Sequence, residues 1–160
     1  MKHINFSGEI NTENTSILLS AIDEIDDKEN IIIYFESQGG DCSSADIIVD
    51  FLDRNHKRIT IKPVWIIGSC AFDICYRTKA KVKLLGDVWG QVHITSKKYE
   101  FRDTLDRDEF DYHYSKWQKK YFKQDIKQLD KLLINGKEKE SIKQGKIVVI
   151  DPTRMRKIFK

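Results

Sequence analysis

The segment from Ile31 to Phe51 constrains the fold of this chain more than any other stretch. Five consecutive apolar residues, Ile31–Phe35, predict a buried strand, because such a short apolar run followed by a turn is typical of a sheet interior. The turn Ser37-Gln38-Gly39-Gly40 follows, and after it apolar side chains recur at helical spacing at Ile47, Ile48, Phe51 and Leu52. A buried strand, a glycine turn and an amphipathic helix together form the repeating unit of a parallel sheet covered by helices.

The rest of the first hundred residues continues this alternation. Further strands are predicted at Ile4–Phe6, Pro63–Ile67, Val82–Leu85 and Trp89–Ile94, with a basic loop over Arg54–Lys62. Asn11-Thr12-Glu13-Asn14 offers caps for a first helix, and another helix is expected from Asp73. We therefore predict an α/β protein with a mostly parallel sheet, and the 160 residues fit one domain, 1–160.

The Gly39-Gly40 pair is the first candidate for a functional site. Glycines between a strand and a helix allow positive φ angles and leave backbone N–H groups uncovered. Preorganised N–H groups can stabilise an oxyanion, so Gly39 and Gly40 are predicted oxyanion donors.

A long helix is predicted from Asp103 or Thr104 to about Phe122. Its aromatic residues recur on one side, at Phe110, Tyr114, Trp117 and Tyr121, and a second apolar set follows at Ile126, Leu129, Leu132 and Leu133. An aromatic stripe of this width needs a cover, which is either the sheet domain or another subunit. We favour another subunit, because the helix follows the completed βα layers, and so we expect a homo-oligomer.

Charge divides unevenly along the chain. Residues 1–53 carry 2 basic and 12 acidic side chains, whereas residues 54–160 carry 26 basic and 13 acidic ones. Such asymmetry, with the basic tail Arg154-Met155-Arg156-Lys157, is compatible with a nucleic-acid surface, but no aromatic-basic RNA motif accompanies it. Acidic and basic faces that pack head to tail between copies explain the division better.

Cysteine usage and hydropathy indicate the cellular compartment and whether a metal is expected. Cys42, Cys70 and Cys75 are odd in number and lie in apolar or helical contexts, so we expect reduced thiols. No Cys-x-x-Cys pair or zinc-type histidine spacing is present, and no metal or other cofactor is expected. No apolar run approaches the ~20 residues of a membrane span and no signal-peptide core is present, which predicts a cytoplasmic protein.

The order of these motifs resembles the proteolytic subunit of Clp protease, a member of the crotonase-like superfamily. The matching segments cover nearly the whole chain: Ile4–Ile10 at the opening strand, Ser37–Gly40 at the Gly-Gly turn (Gln38 replacing proline), Gly68–Ile74 at the nucleophile motif, Val92-His93 at the histidine strand and Ile142–Ile147 at a late helix-Gly-strand segment. The resemblance implies a ClpP/crotonase-like core of stacked β-sheet (a ββα spiral, 1–101), a protruding helical handle (about 102–134) and a C-terminal helix and strand (135–160).

The resemblance also implies a serine-histidine-aspartate site, from which this sequence departs. Counted from Gly68, the nucleophile position falls on Phe72, while the base position is His93. Asp130 is a weak candidate for the aspartate of this site. Ser69 and Cys70 are substitute nucleophiles if the turn is displaced, and Cys70 is chemically the better one.

Two functions follow from the resemblance, and a third class stands beside them. The main interpretation is an inactive protease-fold subunit that forms a homo-oligomer of one ring or stacked rings and acts as a scaffold or binds a protein partner, such as an active paralogue. The alternative is an active peptidase or related hydrolase that uses Cys70 or Ser69 with His93. A crotonase-type acyl-thioester binder would instead use the N–H groups of Gly39 and Gly40, although nothing obvious offers a nucleotide pocket.

Overall fold

A computed structural model of the protein describes residues 1–93, 135–144 and 146–160, with the backbone alone at Lys143. These residues form six strands and five helices: β1 (Lys2–Ser7), α1 (Thr12–Asp23), β2 (Ile31–Ser37), α2 (Cys42–Arg54), β3 (Ile59–Gly68), α3 (Cys70–Arg77), β4 (Lys81–Val82), β5 (Leu85–Val92), α4 (Gly136–Lys143), β6 (Val148–Ile150) and α5 (Pro152–Ile158). The chain divides into two compact units, Met1–Val92 with Val149–Lys160, and His93–Val148. The predicted α/β class is confirmed.

The six strands form one sheet in the order β1-β2-β3-β5-β6, with β4 beside β3. β1 runs parallel to β2, β2 to β3, and β3 to both β4 and β5. The register places Phe6 opposite Phe35 and Phe35 opposite Pro63. The prediction of a mostly parallel sheet is confirmed.

Helices α1, α2 and α3 cover one face of this sheet. Each connects neighbouring parallel strands, and right-handed crossovers place successive connections on the same side. The burial of β2 agrees, because Ile31, Ile33, Phe35 and Ser37 are buried while the residues between them are half-buried. On the alternate face, Leu85, Trp89 and Val149 are large apolar side chains that remain exposed. We call the surface that these three side chains form, among the residues that the structure describes, the open sheet face.

The pairing of β3 with β5 contains a local irregularity. The register shifts between Val64 and Ile66, and Trp65 there adopts a φ of 58° with 69% of its surface exposed. In the partner strand Gly86 has a φ of 76°. A bulge of this kind turns side chains away from their regular direction, which brings Trp65 into solvent.

Short polar side chains begin the helices. Asn11, Asp41 and Asp151 each accept a hydrogen bond from a backbone N–H in the first turn of α1, α2 and α5. In the second unit, Asn135 and Glu138 form a capping box at the start of α4.

Three local predictions were wrong. The segment Arg54–Lys62 is not a loop throughout, because β3 begins at Ile59, where pairing with Ile31 extends the strand. Helix α3 begins at Cys70 rather than Asp73. Ile47 is 53% exposed, and the buried side of α2 consists instead of Ser44, Ala45, Ile48, Val49 and Leu52. The helix predicted from residue 103, its aromatic stripe and the end of the strand at Ile94 lie outside the described residues.

No helix in the described ranges combines the length and the apolar character that a membrane span requires.

Candidate functional site

The candidate site lies where β2 and β3 end. The two strands are parallel and Ser37 pairs with Ile67, so the turn after β2 and the turn after β3 meet at one edge of the sheet. Ligand sites of open α/β sheets lie outside the carboxyl ends of their strands. The fold therefore brings together two predicted motifs, the Gly39-Gly40 turn and the Ser69-Cys70 turn.

Close backbone approach explains why the first turn contains two glycines. Gly39 has a φ of +105° and Gly40 a φ of +150°. A side chain at Gly40 would collide with the carbonyl oxygen of Ile10. The Ile10 N–H donates to the Gly39 oxygen at 2.9 Å, and the Asp41 N–H donates to the Ile10 oxygen at 2.7 Å. The turn is therefore held against the end of the segment that follows β1.

The two predicted oxyanion donors already have partners in the chain. The Gly39 N–H donates to the Ser37 hydroxyl at 3.0 Å, and Ser37 is buried. The Gly40 N–H donates to the Cys70 thiol. An oxyanion role for Gly39 and Gly40 would require these bonds to be exchanged, and that role remains a prediction.

Ser69 occupies a strained turn between β3 and α3. Its φ of 52° and ψ of −128° lie in a region that side-chain-bearing residues rarely adopt. Its N–H donates to the Gln91 oxygen at 2.7 Å, which ties the turn to β5. Its side chain is half-buried and makes no capping bond to the helix. A serine raised on a sharp strand-to-helix turn is the arrangement of a nucleophile elbow.

Cys70, the neighbour of Ser69, faces inward. It is buried, and its sulfur lies 3.9 Å from the carbonyl oxygen of Asp41. A hydrogen bond with the Cys42 side chain, together with burial, raises the pKa of the Cys70 thiol far above its ordinary value. Because the thiolate is the nucleophilic form of cysteine, this environment does not activate Cys70.

Phe72 belongs to the core. It is 4% exposed, its ring stacks on Tyr76 with centroids 6.1 Å apart, and Phe159 meets it edge-on at 5.6 Å. It is the third residue of α3 and lies on the buried side of this helix, next to Gly90. The residue that the fold places at the strand-to-helix turn is therefore Ser69, three positions before the one obtained by counting from Gly68.

Two further predicted site residues are His93 and Asp130. His93 follows β5 directly along the chain, is half-buried and begins the second unit. Asp130 lies outside the described residues. Their roles as base and orienting acid remain predictions.

Sequence reasoning missed the contributions of Ser37 and Cys42. The alternation of Ile31, Ile33 and Phe35 indicates that Ser37 is the next inward-facing residue, so the burial of Ser37 could have been predicted from the sequence. Nothing in the sequence pairs Cys42 with Cys70, since the two lie on different helices. Within the described ranges, no group of three or more metal-ligating side chains occurs.

Fold and site define an α/β protein with a strained serine at the carboxyl edge of a parallel sheet. No model of a known protein family matches the chain, and no curated protein matches its sequence.

Proposed function

We propose that this protein is an acyl-transfer hydrolase with a fold of the Clp protease kind, in which Ser69 is the nucleophile. The observation that carries the proposal is the positive φ of Ser69 at the turn from β3 into α3. Strain of this kind costs on the order of 1–3 kcal/mol and persists where the surrounding structure requires it, frequently at functional sites.

Gly39 makes room for Ser69. A side chain at Gly39 would begin 2.7 Å from the Ser69 Cβ and 2.8 Å from the Gly68 oxygen. The absence of a side chain at position 39 therefore allows Ser69 to occupy its place in the turn. This role of the glycine turn does not require its N–H groups to bind an oxyanion.

The chemistry of an elbow serine follows from its neighbours. The Ser69 hydroxyl oxygen would attack a substrate carbonyl carbon, and the developing oxyanion would be stabilised by the N–H of the next residue, Cys70, at the start of α3. The serine proton passes to a general base and then to the leaving group. The family resemblance assigns the base to His93.

A second candidate function is the inactive oligomeric scaffold. The observation that favours it is that the N–H groups of Gly39 and Gly40 already bond to Ser37 and Cys70, which leaves a family-type oxyanion site filled by the chain itself. The open sheet face, which includes Leu85 and Trp89, is consistent with a partner surface.

A serine-directed fluorophosphonate probe, read by intact mass, separates the two functions. The hydrolase proposal expects one adduct on the wild type, none on Ser69→Ala, and slower labelling of His93→Ala. Ser43→Ala, an exposed serine on α2, is the matched control and should label as the wild type does. Absence of any adduct on the folded wild-type protein would overturn the hydrolase and support the scaffold.

A further inference from the structure

Two of the three thiols of the chain meet at the starts of two helices. Cys42 is the first residue of α2 and Cys70 is the first residue of α3, and their side chains are hydrogen-bonded to each other. The surrounding backbone fixes this approach, because the Cys70 sulfur also lies 3.9 Å from the oxygen of Asp41, the residue before Cys42. A thiol–thiol contact between residues 28 positions apart is a product of the fold and not of local sequence.

We propose that Cys42 and Cys70 form a redox-active dithiol site that a peroxide converts into a disulfide. The two thiols differ in access, since Cys42 is half-buried whereas Cys70 is 5% exposed. An oxidant therefore reaches Cys42 first, and Cys70 acts as the resolving thiol. This site does not depend on the role of Ser69.

The reaction balances in two steps. Hydrogen peroxide transfers one oxygen to the Cys42 sulfur, which gives a sulfenic acid and releases water. The Cys70 thiol then condenses with the sulfenic acid: its sulfur bonds to the sulfenic sulfur, the S–O bond breaks, and the Cys70 proton passes to the departing hydroxyl as a second water, so the step needs no free Cys70 thiolate beforehand. One peroxide is reduced to water, two thiols are oxidised, and the protein loses two hydrogen atoms.

Cys75 provides an internal comparison. It lies on α3 with Cys70 but is 2% exposed, and burial alone raises the pKa of its thiol above the ordinary range. Burial keeps an oxidant away from the Cys75 sulfur, and within the described residues no second thiol contributes to its raised pKa. We expect Cys75 to remain reduced when the other two cysteines are oxidised.

The experiment treats the folded protein with stoichiometric hydrogen peroxide and then denatures and alkylates it. The expected intact mass corresponds to the loss of about 2 Da and to one alkylation instead of three, and reduction by dithiothreitol restores all three. Cleavage before aspartate places each cysteine in a separate peptide, because Asp41 precedes Cys42, Asp53 precedes Cys70 and Asp73 precedes Cys75. The cross-linked pair should contain Cys42 and Cys70, with Cys75 alkylated.

Variants make the assignment specific. Cys42→Ser should retain two alkylatable thiols after peroxide, Cys70→Ser should stop at an oxygen adduct on Cys42, and Cys75→Ser should form the disulfide as the wild type does. The circular dichroism spectrum of each variant confirms that it is folded before oxidation. Three alkylatable cysteines after peroxide, a disulfide that includes Cys75, or a stable oxygen adduct on Cys42 with Cys70 still reduced in the wild type would each overturn the proposal.

Discussion

The Cβ of Ser69 lies 2.7 Å from the point at which a side chain on Gly39 would begin. The two residues lie in the turns that follow different strands, and the parallel pairing of β2 with β3 brings these turns to the same edge. Ser69 adopts the unfavourable backbone angles, and the missing side chain of Gly39 leaves room for the Ser69 Cβ. The Cβ of Ser69 therefore excludes a side chain at position 39, and substitutions at both positions can test this contact.

Gly39→Ala should lower the free energy of unfolding by about 3 kcal/mol, because it adds both a positive-φ penalty and a steric clash. Gly8→Ala is the matched control, since Gly8 has a φ of +122° but nothing within 4 Å of the added carbon. The control should lose only about 1 kcal/mol. Urea denaturation measures both, and equal losses would contradict the contact with Ser69.

Ser69→Gly should stabilise the fold by about 1 kcal/mol, because glycine adopts the φ of 52° without strain. Ser69→Ala keeps the strained Cβ and should leave stability nearly unchanged. Both variants should lose fluorophosphonate labelling. A glycine variant less stable than the alanine variant would show that the turn at Ser69 is not strained.

Asp53 is expected to make stability pH-dependent. Burial opposes ionisation of Asp53, but hydrogen bonds from the Lys79 N–H at 2.6 Å and the Thr78 hydroxyl at 3.0 Å outweigh it and lower the pKa of Asp53 below 3.8. A lowered folded-state pKa gives stability that is present above the unfolded pKa and is lost as pH falls through the folded one.

Asp53→Asn should therefore cost about 1 kcal/mol at neutral pH, and the difference from the wild type should shrink as the solution is acidified below an ordinary aspartate pKa. Thermal unfolding across a pH series measures this. Asp50→Asn, an exposed carboxylate on the same helix, is the control. A difference for Asp53→Asn that stays constant at all pH values would contradict the assignment.

The open sheet face is expected to mediate self-association. Trp89 is 42% exposed there, and a charge at its position should move the protein toward smaller species in sedimentation velocity at micromolar concentration. The variant is Trp89→Glu, and Ile17→Glu on α1 is the control, because Ile17 is 61% exposed on a helix of the opposite face. A monomeric wild type would contradict the predicted homo-oligomer.

The sequence by itself determined the local elements and their order. The apolar run at Ile31 predicted β2, the residues after Gly40 predicted α2, and the alternation predicted a parallel sheet, because strand and helix periodicities are local properties. The start of β3 was misplaced, since Ile59 is in a strand only through its pairing with Ile31. Element boundaries depend on such distant partners.

The tertiary structure decided which residues meet at the candidate site. Counting from Gly68 led to Phe72, but the residue at the turn is Ser69, because the end of β3 is fixed by the bond from the Ser69 N–H to Gln91 in a neighbouring strand. Only parallel pairing of β2 with β3 places Gly39 beside Ser69, and only the packing of α2 beside α3 joins Cys42 to Cys70. Sequence patterns specify which face each residue occupies within its own element, whereas contacts across elements arise from register, which the whole sheet determines.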